Sequence, residues 1–407
     1  MNAKELEIQF SEFLQDNLNL DLTRGKPCPE QLDLSNGLDG ILQGDYRLED
    51  GGDARNYGGL LGIPEARRLG SSILGIDAAQ VMAAGNSSLT LMFNYVSSMM
   101  PAWRHEQENK KSAIKFLCPV PGYDRHFTIC EHLGIEMLPV KFLDTGPDMT
   151  EIETLIKADP MIKGIWCVPK YSNPTGHTYH AETVARFAKL ATLAGPNFRI
   201  FWDNAYALHD LTKPGSQLEN LMALADGCDN QDSVIMIAST SKVTFAGAGM
   251  ALLGSSASNL KHFETYLASQ TIGYDKVNQL RHVRFFEGPG SLQNHMAKHR
   301  EIIAPKFALV EQKLSQLAGL NVISWTQPNG GYFVSVDTHP GLARETISLA
   351  AQAGVKLTPA GATYPLRTDP EDKNIRIAPT FPDMIDLEKA LDVLVCCLQL
   401  ALARSQH

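Results

Sequence analysis

No stretch of the 407 residues is apolar for long enough to cross a bilayer. The most apolar late run, Val393 to Ala403, is too short and reads as a helix face. The opening residues Met1-Asn2-Ala3-Lys4-Glu5-Leu6-Glu7 lack the apolar region of a secretory signal, which predicts a cytoplasmic protein. Positive charge is also scarce: the net charge is -9, and Lys and Arg are scattered rather than grouped. That gives no support to a nucleic-acid or membrane-surface partner. The seven cysteines (28, 118, 130, 167, 228, 396 and 397) include no Cys-x-x-Cys pair, and they read as reduced thiols rather than a metal site or a disulfide framework. Repeats, low-complexity tracts and long Gly/Ser linkers are missing as well.

What remains is the composition of a soluble globular protein, 44% hydrophobic and 20% charged, long enough for two or three structural units. From about Tyr57 to Ser256, short apolar runs alternate with helical patterns. Strands are predicted over Ile114–Val120, Met137–Phe142, Ile162–Val168, Arg199–Asp203, Val234–Thr240 and Met250–Gly254. Helices are predicted over Leu89–Met99, Met149–Ile156 and Ala181–Leu193. This alternation indicates a mostly parallel sheet covered on both faces, with ligands bound at the carboxyl ends of its strands. After about Gly290 the pattern changes to a long helix (Gln293–Leu317) and a hairpin (Val322–Asp337) turning at Pro328-Asn329-Gly330-Gly331. A helix (Arg344–Ala353), two short strands (Val355–Leu357 and Asn374–Ala378) and a last helix (Met384–Ala403) complete an α+β unit. The expected division is an N-terminal helix and segment, 1–45, packing with the small domain, then a large domain, 46–290, and a small C-terminal domain, 291–407.

Lys242 follows the apolar strand Val234-Ile235-Met236-Ile237-Ala238 within Ser239-Thr240-Ser241-Lys242. A lysine there is either a solvated surface residue or a desolvated amine, nucleophilic toward carbonyls. Asp203 ends the strand Phe198–Asp203 and reads as a helix cap or as a carboxylate that keeps a pyridine nitrogen protonated, with Tyr206 three residues on. Asn173-Pro174-Thr175-Gly176 is turn chemistry, or else an amide donor to a phenolate oxygen. Gly85-Asn86-Ser87-Ser88 opens a helix, as a simple cap or as an anion site. Tyr123 is core or a stacking platform, and Arg376 is a solvent-facing strand residue or a bidentate carboxylate clamp.

The order and strand-end positions of Tyr57, Gly85, Tyr123, Asn173, Asp203, Tyr206, Lys242 and Arg376 resemble those of fold-type I pyridoxal-phosphate aminotransferases. The runs Ser239–Gly247, Asp275–His282 and Asn374–Pro382 look like a bacterial aspartate aminotransferase branch grouped with the aminotransferase-like domains of MocR-type regulators. The resemblance implies the α/β type I transferase fold, a large domain with a mostly parallel seven-stranded sheet, and a smaller α+β C-terminal domain. It implies pyridoxal 5'-phosphate on Lys242 through a Schiff base, Asp203 on the pyridinium nitrogen with His126 behind it, and Asn173 and Tyr206 on the phenolate oxygen. Tyr123 then stacks on the ring, and Gly85, Asn86, Ser87, Ser239 and Ser241 cradle the phosphate. Tyr57 is lent to the neighbouring subunit of a homodimer with shared active sites, and Arg376 grips the substrate α-carboxylate.

The implied activity is ping-pong transfer of an amino group between an amino acid and a 2-oxo acid, aspartate with 2-oxoglutarate as the pair. Transamination of other amino acids, β-elimination by a lyase, and a ligand-sensing domain are the alternatives. The acidic balance and the early position of Lys242 argue against the sensor. Met250 stands where many relatives have a phosphate-binding arginine. A dicarboxylic substrate needs a second cation, for which Arg24, Lys26, Lys276, Arg281 and Arg284 are the candidates.

Overall fold

The computed structural model describes residues 3–320 and 323–406. In chain order, its strands are β1 (Leu20–Asp21), β2 (Val81–Ala83), β3 (Lys115–Val120), β4 (Glu136–Leu143), β5 (Gly146–Pro147), β6 (Ile162–Cys167), β7 (Arg199–Asp203), β8 (Val234–Ser239), β9 (Ala251–Gly254), β10 (Ser324–Trp325), β11 (Val334–Asp337), β12 (Val355–Lys356) and β13 (Asn374–Ile377).

The principal sheet runs β2-β9-β8-β7-β6-β3-β4-β5. Five neighbouring strands, β8, β7, β6, β3 and β4, are mutually parallel. Antiparallel β9 separates β8 from β2, and β5 closes the other edge. The sheet therefore has eight strands among the described residues, not the seven expected. The extra one is the two-residue return of β4 through Gly146, whose φ of 120° only glycine adopts readily. Strand β2 also escaped the sequence reading, because three residues are too few to show a period.

Strands β6 and β8 are almost wholly buried, which explains their largely apolar character; the one charged residue, Lys163 of β6, is paired with Glu106 and the Pro196 carbonyl. One core fills the face carrying Ile165, Trp202 and Leu252, and another fills the opposite face around Tyr95, Trp103, Phe116 and Phe201. Helix Ser88–Lys110 covers that second face and begins at the Ser87 cap, whose Oγ accepts from the Thr90 amide.

A separate core joins Leu6 and Phe10 of helix Ala3–Gln15 to Leu391, Leu394 and Leu398 of helix Met384–Ser405. It also covers a small antiparallel sheet, β10-β11-β13. In the hairpin, Ser324 pairs with Asp337 and Trp325 with Val336, while the expected start at Val322 lies outside the described residues. The chain's first strand, β1, pairs in parallel with β12, so residues 20–21 are tied to the C-terminal part. Among the described residues, no helix is long and apolar enough to cross a membrane. None of the seven cysteines is paired.

Candidate active site

Parallel strands end on one edge of the sheet, and each of four neighbours delivers a polar side chain just past that edge. Strand β3 is followed by Tyr123, β6 by Asn173, β7 by its own last residue Asp203 and then Tyr206, and β8 by Lys242. The flanking runs are apolar because the strands are buried, so the polar residues fall where burial stops.

Asp203 is 2% exposed. Its Oδ2 accepts a hydrogen bond from His126 Nε2 at 3.1 Å, and its Oδ1 is buried without a partner. His126 is held flat against Trp166, with ring centroids 4.5 Å apart and an 11° interplanar angle. An unpaired buried carboxylate oxygen is costly unless a donor meets it. Lys242 Nζ lies 5.0 Å from the centre of the Tyr206 ring. Burial holds its amine below the ordinary lysine range, against the opposing pull of Asp203. Burial pushes the Tyr123 and Tyr206 phenols up, and the Asp203 carboxylate adds to both shifts, so both hydroxyls stay protonated donors.

Among the described residues, the hydroxyls of Tyr123 and Tyr206, Asn173 Nδ2 and Lys242 Nζ donate to no protein group. These four donors and the Asp203 oxygen fit a flat, polar heteroaromatic ligand with a ring nitrogen to protonate and a carbonyl within reach of an amine. Pyridoxal 5'-phosphate has that shape.

The expected phosphate residues come together beside it. Asn86 Nδ2 donates to the Gly247 carbonyl at 2.8 Å, and Ser241 Oγ donates to the Asn86 carbonyl at 3.2 Å. The Gly85 carbonyl accepts from the Ala251 amide at 2.7 Å, and Ser239 ends β8 beside it. Gly249 closes the loop onto Ser241, where a Cβ would stand 2.9 Å from the Ser241 nitrogen. Met250 is fully buried in the core, and its amide donates to Thr240 Oγ1 at 2.8 Å. Its side chain packs in the apolar core that also holds Leu252 and Trp202. Lys276 heads a helix, Lys276–Phe285, that reaches this loop through Asn278, and its Nζ donates to the Tyr57 carbonyl at 3.3 Å. Tyr57 itself is 85% exposed.

Arg376 lies on β13 and is 6% exposed, packed against the Phe333 ring. It joins Thr23, Arg24, Asp124, Arg125 and Thr358 around a cavity of about 250 Å³. Of the candidate second cations, Arg24 lines this cavity without a protein partner among the described residues. The others are engaged elsewhere: Lys26 with the Phe381 ring, Lys276 with Tyr57, Arg281 with Leu38 and Asp39, and Arg284 near Asp45 and Glu287.

The sequence reading missed a buried network behind the lysine. Lys242 sits in the middle of a tight turn, so its carbonyl and that of Val243 need donors from outside. His209 Nε2 and the Tyr332 hydroxyl supply the first carbonyl at 3.1 and 3.4 Å. His295 and His299 supply the second through Nε2, at 2.6 and 2.9 Å. Gln31 accepts the Cys28 amide on Oε1, which turns its Nε2 toward Tyr332 and His299 Nδ1, each at 2.9 Å. His299 is thereby the neutral Nε2–H tautomer. These groups come from four distant segments, and no spacing in the sequence links them.

Burial lowers His209 from 6.5 to about 4 and His299 from 6.5 to about 3, the latter aided by its two histidine neighbours. Between pH 6.5 and about 4, the unfolded chain binds protons that the native histidines refuse, so stability falls as the pH drops through that window. For His209 the loss is no more than about 3 kcal/mol. Melting temperatures from pH 7 to 4 are expected to fall more steeply for the wild type than for His209→Gln/His299→Gln. Equal slopes would refute this assignment.

The sequence profile described as Aspartate amino-transferase matches residues 2–407. A Mycolicibacterium smegmatis protein that carries the name of an aminotransferase is 49% identical over 400 residues, 96% of this chain and 93% of that protein. The aspartate aminotransferase of Corynebacterium glutamicum is 43% identical over 411 residues, 98% of this chain and 93% of that protein. The crystal structure of an aspartate transaminase from Corynebacterium glutamicum superposes with a TM-score of 0.94 at 42% identity, covering 100% of this chain and 96% of that one. With a strand-end site that suits the cofactor and full-length likeness in sequence and fold, the chain belongs to the aspartate aminotransferase family.

Proposed function

We propose that the chain is a pyridoxal-phosphate-dependent aspartate transaminase, working as a homodimer in the cytoplasm. The observation that carries this is the orphaned Oδ1 of buried Asp203, a carboxylate close enough to the desolvated Lys242 for its charge to act on the amine. When bound, pyridoxal phosphate supplies an electron sink for the substrate's Cα–H bond electrons. Asp203 would hold the proton on the ring nitrogen, and His126 fixes the orientation of that carboxylate. Asn173 and Tyr206 would supply hydrogen bonds to the ring oxygen, and Tyr123 would offer its ring as a stacking surface. Gly85, Asn86, Ser87, Ser239 and Ser241 hold the phosphate. Lys242 Nζ would be the attachment point for the cofactor and, as a free amine, would take the α-proton from the substrate. Its lowered pKa favours the neutral amine that this requires.

Arg376 binds the α-carboxylate, and Arg24 is the cation for the distal carboxylate. The exposure of Tyr57, next to two glycines with positive φ, supports its being lent to a second subunit. The large cofactor-binding domain then spans 46–290, with 291–407 as the small domain on which 1–45 packs. Seven unpaired cysteines support a reducing compartment.

The test is single-turnover conversion of the bound cofactor from its aldehyde to its amine form with a panel of amino acids, followed by absorbance. Aspartate and glutamate are expected to convert it fastest. Faster conversion by aromatic or small neutral amino acids would remove the aspartate assignment, and no conversion by any would remove the transaminase.

A further inference from the structure

Arg376 has no hydrogen to spare. A guanidinium carries five N–H donors, and here five hydrogen bonds leave it. Nε donates to Thr358 Oγ1 at 3.3 Å, and Nη1 donates to Asp124 Oδ1 at 3.1 Å and Asn173 Oδ1 at 3.2 Å. Nη2 donates to the Thr23 carbonyl at 3.3 Å and to Thr358 Oγ1 at 3.2 Å. A substrate carboxylate needs two of these N–H groups, so partners must leave. Asn173 is buried, and without Arg376 its Oδ1 would lose its donor, while buried Thr358 would keep only the bond its hydroxyl gives the Thr23 carbonyl. Asp124 is different: its side chain is 33% exposed and borders the cavity. Its other oxygen, Oδ2, already lies 3.9 Å from Arg125 Nε, which borders the same cavity. The Thr23 carbonyl also accepts from Thr358 Oγ1 at 2.8 Å, so it stays bonded when Nη2 turns away.

We propose that Asp124 is an internal competitor for the substrate carboxylate at Arg376, and that it passes to Arg125 when the amino acid binds. The proposal rests on the reading of Arg376 as the α-carboxylate clamp. Two carboxylates crowding one guanidinium repel each other, so binding is an exchange of one for the other. The exchange keeps a deeply buried arginine paired when no substrate is present. It also weakens the grip on any α-carboxylate, leaving selectivity to the rest of the substrate. Asp124 is thus a positioning residue that sets affinity through Arg376.

The experiment compares Asp124→Asn with Glu131→Gln in the holoenzyme. Glu131 borders the same cavity but bonds Arg367 rather than Arg376, so it controls for the general loss of a negative charge. Asparagine keeps the acceptor oxygen, and Asp124→Ser serves as a second, smaller replacement. KM for aspartate is measured against kcat, together with the Kd of maleate by calorimetry. Asp124→Asn is expected to lower KM and the maleate Kd about tenfold, with the change falling on KM rather than kcat. Glu131→Gln is expected to move either by less than about twofold. An unchanged or raised KM and Kd in both Asp124 variants, or an equal drop in Glu131→Gln, would overturn the exchange. A wild type that converts no amino acid would instead overturn the transaminase reading.

Discussion

Replacing Lys242 with alanine is expected to cost about 10⁴-fold in the rate of amino transfer. It should also abolish the visible absorbance of a lysine-linked cofactor. The amine is placed by the turn after β8 and is desolvated over the Tyr206 ring, so no other side chain stands ready to take its place. The fold should not suffer. A buried lysine whose charged form is disfavoured contributes little stability, and the turn carbonyls are held by His209, Tyr332, His295 and His299 rather than by the ammonium. The informative pair of measurements is therefore kcat and the melting temperature of the cofactor-free protein. A large loss of kcat with an unchanged melting temperature assigns the lysine to chemistry. Residual activity within tenfold of the wild type would end that assignment.

Asp203→Asn is the second large effect, expected near 10³-fold in kcat. Asparagine fills the same space, and its oxygen can still accept from His126 Nε2. That orientation turns an NH2 group toward the place where Oδ1 now stands unpaired. An amide donor facing a ring nitrogen opposes its protonation, whereas the carboxylate enforces it. The variant should still bind the cofactor, seen as retained absorbance, while turning over slowly. A loss smaller than tenfold would mean that ring-nitrogen protonation is not what Asp203 provides.

Much of the site was legible beforehand, for a specific reason. In a parallel sheet buried on both faces, strands are written as apolar runs, and the first polar residue beyond each run sits at the ligand edge. Asp203 could be located in this way directly after Ile200–Trp202, and Lys242 by following Val234–Ala238 through the short polar run Ser239-Thr240-Ser241. The predicted bounds of β7 coincide with the observed Arg199–Asp203, and β8 ends within one residue of expectation. Strand β2 and the β5 return were illegible, being too short for a period.

Contacts between distant segments were illegible too. The candidates for a second cation looked equivalent in the sequence, since a charge does not state its partner. Only the packing ties Arg281 to Asp39 and brings Arg24 to the cavity of Arg376. The same holds for Gln31, His209, Tyr332 and His299, which meet behind Lys242 from four parts of the chain.

The amino-acid sequence by itself determined the fold class, the strand-end residues and the family resemblance, because these depend on local pattern and on motif order. The tertiary structure alone decided which donors are left unpaired among the described residues, which of the candidate second cations lacks a partner among them, and that Asp124 shares Arg376 with Asn173. The contacts at Arg376 join residues more than 200 positions apart, and no local pattern encodes them.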